Sequence, residues 1–302
     1  MFTSRTHPSS FSTKKPIRSQ KPQKLLRLLL GLLFSSTVGL LAYRRRSLTR
    51  SGVAGAIVTG TTTVGLGGWS WGLTLIFFFV SSSLFSHFRA REKAVTAEDK
   101  FSKGSQRDLL QVFANGGVAT SIAFGYAFTS QHNLKDTLQA GYAGALATAT
   151  ADTWATELGV LSTQVPRLIT TGKQTTPGTS GAITLLGTAS SASGSLALGA
   201  FFWLLQRKHK ENFALPFIAL VSGLLGSLFD SFLGATVQSM YFCPICHKET
   251  ERQVHNCGNK TQLLRGLPWL NNDAVNFLST FYGAVTAMLL ATLIQKRRSP
   301  LV

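Results

Sequence analysis

Long apolar blocks alternate with shorter polar connections along most of the chain. A helix needs about 20 apolar residues to cross a hydrocarbon core of about 30 Å, and several blocks approach that length. Because lipid offers no hydrogen-bond partner to an open sheet edge, the pattern predicts an all-α polytopic membrane protein with seven to eight transmembrane helices. Small residues in the weakest block, 52–68, suit close helix packing. The predicted spans are 25–43, 52–68, 69–88, 110–130, 138–162, 181–206, 213–238 and 274–295.

The chain divides into a membrane domain and three polar segments. The membrane domain is predicted at 25–295. Residues 1–24 form a basic tail, rich in Ser, Pro, Lys and Gln, which is predicted to be disordered. A long loop at 239–273 is inserted between two spans, and residues 296–302 form a basic C-terminal tail.

Charge is scarce and is concentrated near the N-terminus. Charged residues make up 14% of the chain and hydrophobic residues 44%, whereas a soluble domain carries about 25% charged residues. The formal net charge is +18, and eleven basic residues and no acidic one fall within the first 50 positions. These residues flank the first apolar block, which is typical of topology signals and of attraction to anionic lipid. No folded basic domain surrounds them, so the sequence argues against nucleic-acid binding; a lipid-phosphate patch at 44–46 stays open.

The first apolar block also raises the question of a cleaved leader. No clear small-residue cleavage site precedes position 44, and the basic cluster after the block favours its retention as a span. A Ser- and Lys-rich organelle transit peptide is the weaker alternative. We therefore expect a multi-pass protein of the plasma membrane of a bacterium.

Three acidic residues, Asp152, Glu157 and Asp230, lie inside apolar blocks, where a charge costs about 2.5–3.5 kcal/mol. Gly226, Asp230 and Gly234 repeat every fourth residue and share one helix face, which suits the approach of another helix or a ligand. Asp152 and Glu157 are separated by about 140° on a regular helix, so one ligand reaches both only where the helix begins or breaks. The pattern favours a metal or phosphate site. The alternatives are a helix N-cap at Asp152 and a buried, hydrogen-bonded carboxyl at Asp230.

The segment 166–182, PRLITTGKQTTPGTSGA, combines glycines, hydroxyl groups and two basic residues. Glycine-rich turns let backbone N–H groups surround a phosphate. A lysine adds positive charge there, and hydroxyl groups add hydrogen bonds. The spacing of a Walker A loop is absent, so a plain polar loop is an equal alternative. Other polar positions are Asn115, which precedes two glycines, and Asn272 and Asn276, one helical turn apart. The candidate phosphate- or nucleotide-binding residues are Asn115, Arg167, Thr170, Thr171, Lys173, Gly178, Thr179, Ser180, Asn272 and Asn276.

All three cysteines of the chain fall within one stretch, YFCPICHKETERQVHNCGNKT. Cys243 and Cys246 form a Cys-x2-Cys pair, and His255 and Cys257 follow in the same loop. Four such ligands suffice for one tetrahedral Zn²⁺, which would be structural because no open position remains. His247 is an alternative ligand. A disulfide that leaves one thiol over, and unligated residues, are the alternatives to zinc.

Six motifs together resemble one family of integral membrane proteins, which includes human transmembrane protein 19 and the plant and cyanobacterial phytyl-phosphate kinases. The resemblance covers about residues 44–295, and ADTWATELG followed by the PRLITT…PGTSG stretch is its most specific part. The motifs are RSLTRSGVAGAIVTG at 46–60, QVFANGG at 111–117, ADTWATELG at 151–159, PRLITTGKQTTPGTSGA at 166–182, GSLFDSFLGATVQ at 226–238 and NNDAVNFLS at 271–279.

The resemblance implies a lipid phosphotransferase that converts an isoprenyl monophosphate, such as phytyl phosphate, to the diphosphate with CTP or ATP as donor. The catalytic acids Asp152, Glu157 and Asp230 would hold Mg²⁺, and Arg167 and Lys173 would neutralise phosphate oxygens. The partners would be an isoprenoid lipid phosphate and membrane lipids. The alternatives are a transporter or flippase of a phosphorylated lipid, and a non-enzymatic membrane protein whose acids join helices.

Overall fold

The computed structural model describes residues 20–97, 106–206 and 214–298, most of which are helical. The helices are α1 Gln20–Arg44, α2 Arg50–Thr62, α3 Trp69–His87, α4 Ala90–Ala97, α5 Leu109–Phe128, α6 His132–Gly159, α7 Leu185–Leu205, α8 Leu215–Thr236 and α9 Asn272–Arg298. The strands are β1 Arg167–Leu168, β2 Ala182–Ile183, β3 Met240–Cys243, β4 Lys248–Thr250 and β5 Gln262–Arg265. Residues 1–19 of the N-terminal tail, for which disorder is predicted, lie outside the described residues. Positions 299–302 of the C-terminal tail also lie outside them.

In the described part of the chain, five helices are long and apolar enough to cross a membrane: α1, α3, α7, α8 and α9. The all-α membrane class is confirmed, but the count is lower than the seven to eight predicted. Block 52–68 is interrupted, because α2 has only 13 residues and passes into a π-helical turn at Thr63–Gly67. Helices α5 and α6, with 20 and 28 residues, are long enough to span. Their Ala, Gly, Thr and amide side chains make them less apolar than the other five.

Helix α6 lies at the centre and packs against α5, α7, α8 and α9. Its residues 139–151 are all buried and are mostly Ala, Gly and Thr, so the neighbouring helices approach closely. The Tyr142 hydroxyl of α6 donates a hydrogen bond to the Trp71 carbonyl oxygen of α3 at 2.6 Å. Helix α1, by contrast, exposes a row of leucines, as expected of a surface that faces lipid. Helix α6 thus presents mainly small residues to its neighbours, whereas α1 presents large apolar residues outward.

Two small antiparallel sheets lie between the helices, and the apolar pattern gives no sign of either. Strands β1 and β2 pair with Arg167 opposite Ile183, which closes the 166–182 segment just before α7. Strands β3 to β5 pair in the order β4-β3-β5 and occupy the connection between α8 and α9. The chain thus forms both sheets where α6 and α8 end and where α7 and α9 begin.

Candidate functional site

A cavity of about 140 Å³ lies where these four helix ends meet. The ends of α6 and α8, the starts of α7 and α9, and the 166–182 segment form its wall. Six of the residues predicted for the site line it: Asp152, Gly178, Thr179, Ser180, Asp230 and Asn272. The structure therefore brings together residues that are up to 120 positions apart in the sequence.

Asp152 and Asp230 reach the cavity from two different helices, α6 and α8. The helices approach closely because position 226 is glycine: a Cβ there would lie 2.5 Å from the Thr148 Cγ2 atom of α6. The Asp230 Oδ2 atom is buried and has no hydrogen-bond partner among the described residues. An unsatisfied buried carboxylate oxygen costs free energy, which a cation or a donor from a ligand would recover.

The first turns of α7 contribute a row of hydroxyl groups that the sequence analysis missed. Thr184, Gly187, Thr188 and Ser191 line the cavity, and their spacing places them on one helix face. The Thr184 side chain caps the helix by accepting a hydrogen bond from the Gly187 N–H at 3.0 Å. The Ser191 hydroxyl is buried without a hydrogen-bond partner in the described chain. The positive end of the α7 dipole and the unsatisfied Ser191 hydroxyl therefore face the same space.

The 166–182 segment packs directly against the end of α8, where Gly181 allows the two backbones to come close. Gly181 has a φ of +83°, and a Cβ at this position would lie 2.5 Å from the Ala235 backbone nitrogen. The neighbouring Ser180 hydroxyl donates a hydrogen bond to the Gln238 Oε1 atom at 2.9 Å. Arg265 donates from its Nη1 atom to the Gly234 carbonyl oxygen at 2.7 Å, and burial lowers the pKa of Arg265, although Glu249 raises it. The segment thus forms a fixed wall of the cavity.

Glu251 is a third carboxylate that lines the cavity, and the sequence analysis did not identify it. Its Oε1 atom accepts a hydrogen bond from the Gln238 Nε2 atom at 2.9 Å. Gln238 therefore links Glu251 of the β-sheet to Ser180 of the 166–182 segment. Nothing in the local spacing of Glu251 indicates this role, because the contact depends on the pairing of β4 with β3, which brings Glu251 back towards Gln238.

The structure places Glu157 away from this cavity, so it does not share a site with Asp152 and Asp230. Its carboxylate forms an ion pair with Lys93, and the Ser86 hydroxyl donates to its Oε1 atom at 2.6 Å. Lys93 also donates to the carbonyl oxygens of Phe85 and Ser86, at 2.7 and 3.0 Å. Glu157 is thus a fully partnered residue that joins the α3–α4 corner to α6. The angular separation of about 140° between Asp152 and Glu157 explains why they point to different neighbours.

Several of the predicted phosphate ligands lie outside the cavity as well. Arg167, Thr170, Thr171 and Lys173 are exposed around the turn after β1, where the Arg167 Nη1 atom donates to the Gly172 carbonyl oxygen at 2.8 Å. Asn276 is half-buried on α9 and is not among the lining residues.

Asn115 lines a second, mainly apolar cavity of about 70 Å³, together with Arg107 and Gln111. The Arg107 guanidinium lies 5.8 and 5.6 Å from the ring centroids of Phe78 and Phe79. Burial lowers the pKa of Arg107 to about 10, and nearby Glu157 partly opposes that shift. The predicted site residues therefore divide between two cavities, an ion pair and an exposed turn.

The predicted zinc ligands converge at one point. The ligand atoms of Cys243, Cys246, His255 and Cys257 all lie within 4.8 Å of one another. His247 has a φ of +52° and lies outside this group, with its ring 6.1 Å from that of Phe242.

The fold and cavity define a polytopic helical membrane protein with carboxylates and hydroxyl groups around a cavity at one end of its helices. The chain belongs to the family described as integral membrane protein DUF92, whose profile matches residues 33–284. The predicted relationship to the proteins that include phytyl-phosphate kinase is thereby confirmed at the level of the family. No solved structure matches the chain.

The relatives come from plants, archaea and cyanobacteria. Protein PGR of Arabidopsis thaliana is 33% identical over 84% of this chain and 92% of its own length. An uncharacterised membrane protein of Methanocaldococcus jannaschii is 28% identical over 89% of this chain and 96% of its length. The chloroplast protein VTE6 of Arabidopsis thaliana is 25% identical over 80% of this chain and 65% of its length. An integral, multi-pass membrane protein is thus established, while a bacterial plasma membrane stays a prediction.

Proposed function

We propose that the protein is a lipid phosphotransferase that extends an isoprenyl monophosphate to the diphosphate, with a nucleoside triphosphate, CTP or ATP, as donor. The bond from the donor's terminal phosphorus to its bridging oxygen breaks, and that phosphorus bonds to an oxygen of the acceptor phosphate. The nucleoside diphosphate leaves with the electron pair. The resemblance to the phytyl-phosphate kinases and the similarity to VTE6 support an isoprenoid acceptor.

The observation that carries this proposal is the charge of the cavity. Asp152, Asp230 and Glu251 line it, and its described lining includes no Lys, Arg or His. Such a cavity would repel phosphate groups unless cations lie between them and the carboxylates. The unsatisfied Asp230 oxygen and the oxygen-only donor set fit Mg²⁺, which Asp152 and Asp230 would hold. When bound, Mg²⁺ would neutralise charge on the phosphoryl oxygens.

The remaining groups suit the positioning of two phosphates. The start of α7 offers a positive dipole end with the Thr188 and Ser191 hydroxyls, and Thr179 and Ser180 lie across from it. Phosphoryl transfer depends mainly on positioning and charge stabilisation. A phosphate monoester with a second pKa of about 6 is already ionised at neutral pH, so its attacking oxygen needs no general base. The absence of a His or Lys from the described lining is therefore consistent with this reaction.

The test is phosphoryl transfer by the detergent-purified protein. Phytyl, geranylgeranyl and farnesyl monophosphates would each be offered with labelled CTP or ATP, with and without Mg²⁺. We expect Mg²⁺-dependent diphosphate from at least one pair, and its loss in Asp152→Asn. Glu92→Gln, which removes one partner of an exposed pair with Arg89, is the matched control and should keep activity.

A carrier of phosphorylated lipids is the second candidate, since acids at membrane depth are also typical of transport pathways. It predicts that the folded protein binds the lipid phosphate but forms no product with any nucleotide. That result would contradict the phosphotransferase and favour the carrier.

A further inference from the structure

The Cys3His cluster lies in the segment between α8 and α9, which also contributes Glu251 to the cavity. The Sγ atoms of Cys243 and Cys257 are 3.7 Å apart, and the His255 Nδ1 atom lies 3.3 Å from the Cys257 Sγ atom. Zinc–sulfur bonds of about 2.3 Å at tetrahedral angles place two sulfurs about 3.8 Å apart. We propose that these four residues bind one structural Zn²⁺ and that this site holds Glu251 at the cavity.

The distances distinguish zinc from the other states of these residues. A disulfide requires sulfurs about 2.05 Å apart, much closer than the 3.7 Å between Cys243 and Cys257. Cys243 is fully buried, and the imidazole nitrogen that faces the sulfurs is Nδ1 of His255, 3.3 Å from the Cys257 Sγ atom. Three neutral thiols and an imidazole in contact form only weak hydrogen bonds with one another. A zinc ion, in contrast, accepts a coordinate bond from all four groups.

The local fold presents the four ligands as two facing turns. Strand β3 ends at Cys243, and the Cys246 N–H donates to its Sγ atom at 3.5 Å. On the other side the Asn259 Nδ2 atom donates to the Cys257 Sγ atom at 3.4 Å. Gly258 has a φ of +82° and turns the chain after the last cysteine. Four protein ligands fill a tetrahedral shell, so the ion would have a structural role.

The register of β3 and β4 pairs Cys243 with Lys248 and Tyr241 with Thr250, so Glu251 lies at the opposite end of this strand pair from the cluster. The segments that lead into and out of the sheet are joined to each other between the end of α8 and the start of α9, because the Ser239 N–H donates to the Leu270 carbonyl oxygen and the Leu267 N–H donates to that of Val237, both at 2.9 Å. Glu251 follows β4, between the two halves of the cluster. Zinc would join those halves and so keep Glu251 in its hydrogen bond to Gln238.

The metal content of the purified full chain tests the first part of this proposal. We expect about one zinc per chain after removal of any polyhistidine tag, and a zinc-edge absorption spectrum with three sulfurs and one nitrogen. Cys257→Ser, at an exposed ligand, should reduce the zinc content at least tenfold. His247→Ala, at a histidine outside the cluster, is the matched control and should retain zinc. A folded wild-type protein that neither contains nor takes up zinc would overturn the proposal.

The second part, the positioning of Glu251, rests on the proposed function and needs activity as well as metal content. Glu251→Gln should keep its zinc while turnover falls at least tenfold, and zinc-free Cys257→Ser should show a similar fall. Full turnover in the zinc-free variant would contradict the positioning role. A zinc-loaded wild-type protein without turnover would instead contradict the phosphotransferase and leave the zinc site standing.

Discussion

Asp230 and Glu157 are both acids within the membrane domain, but their carboxylates differ in the partners they have. Glu157 has an ion-pair partner in Lys93 and a hydroxyl donor in Ser86. Asp230 lines a cavity with Asp152 and keeps one oxygen without a partner in the described chain. The same kind of residue thus joins helices at one position and faces a cavity at another. The presence of an intramembrane acid therefore does not identify a functional site until its partners are known.

The largest effect should come from Asp230→Asn. Loss of one charge at the phosphoryl site should reduce turnover by about 10²–10³-fold, as for removal of one preorganised electrostatic group. Thermal stability should not fall, because the substitution removes a buried charge and the Oδ2 atom has no hydrogen-bond partner in the described chain. Single-turnover assays and melting curves of the same preparation would separate the two effects. A large loss of stability would show that Asp230 has a structural role instead.

Glu157→Gln should produce the opposite result. Removing one partner of a buried ion pair costs about 3–5 kcal/mol, and the 24% exposure of the Glu157 side chain reduces this to about 1–3 kcal/mol. Turnover per folded molecule should change little, because Glu157 does not line the cavity. Chemical denaturation in detergent would measure the loss. The double variant Glu157→Gln with Lys93→Met should recover part of it, since no unpaired buried charge remains.

Smaller effects are expected from alanine substitutions at two glycines of the 166–182 segment, which can be compared directly with each other. Gly181 and Gly172 both have positive φ, +83° and +66°, but only at Gly181 would a Cβ meet other atoms within 4 Å. Gly172→Ala should cost about 1–2 kcal/mol, the usual penalty of the left-handed conformation. Gly181→Ala should cost more, because Ala235 blocks the Cβ, and it should also lower turnover by displacing Ser180. Equal effects of the two substitutions would show that the attachment to α8 does not matter.

The smallest effect should come from Lys173→Ala. The side chain is exposed on the turn after β1 and lies outside the cavity. An exposed charge contributes only about 0–1 kcal/mol to the binding of a phosphate, so turnover should change less than about fivefold. Any change should appear in KM and weaken as salt is added. A loss as large as that of Asp230→Asn would mean that the turn folds over the cavity during the reaction.

Local spacing predicted the parts of this arrangement that depend on one helix. The repeat of Gly226, Asp230 and Gly234 correctly indicates a face of close contact, and the Cys and His spacing indicates four residues that do converge. The sequence favoured one metal or phosphate site shared by Asp152 and Glu157, but α6 continues unbroken through both residues, so their offset of about 140° keeps them apart.

Contacts between distant segments were beyond the reach of the sequence. Glu251 and Gln238 meet only because β4 pairs with β3, and Ser191 reaches the cavity only because α7 begins beside α6. The number of spans was overestimated for a similar reason. Apolar blocks alone do not show that α2 is too short, or that the centre of α6 is covered by other helices rather than by lipid.

The most direct test of the contrast between Asp230 and Glu157 is divalent-cation binding. Mn²⁺, which can replace Mg²⁺ at oxygen ligands and is visible by electron paramagnetic resonance, would be titrated into the detergent-purified protein with nucleotide present. We expect a saturable site that is retained in folded Glu157→Gln and lost in Asp230→Asn. Retention in Asp230→Asn together with loss in Glu157→Gln would contradict it.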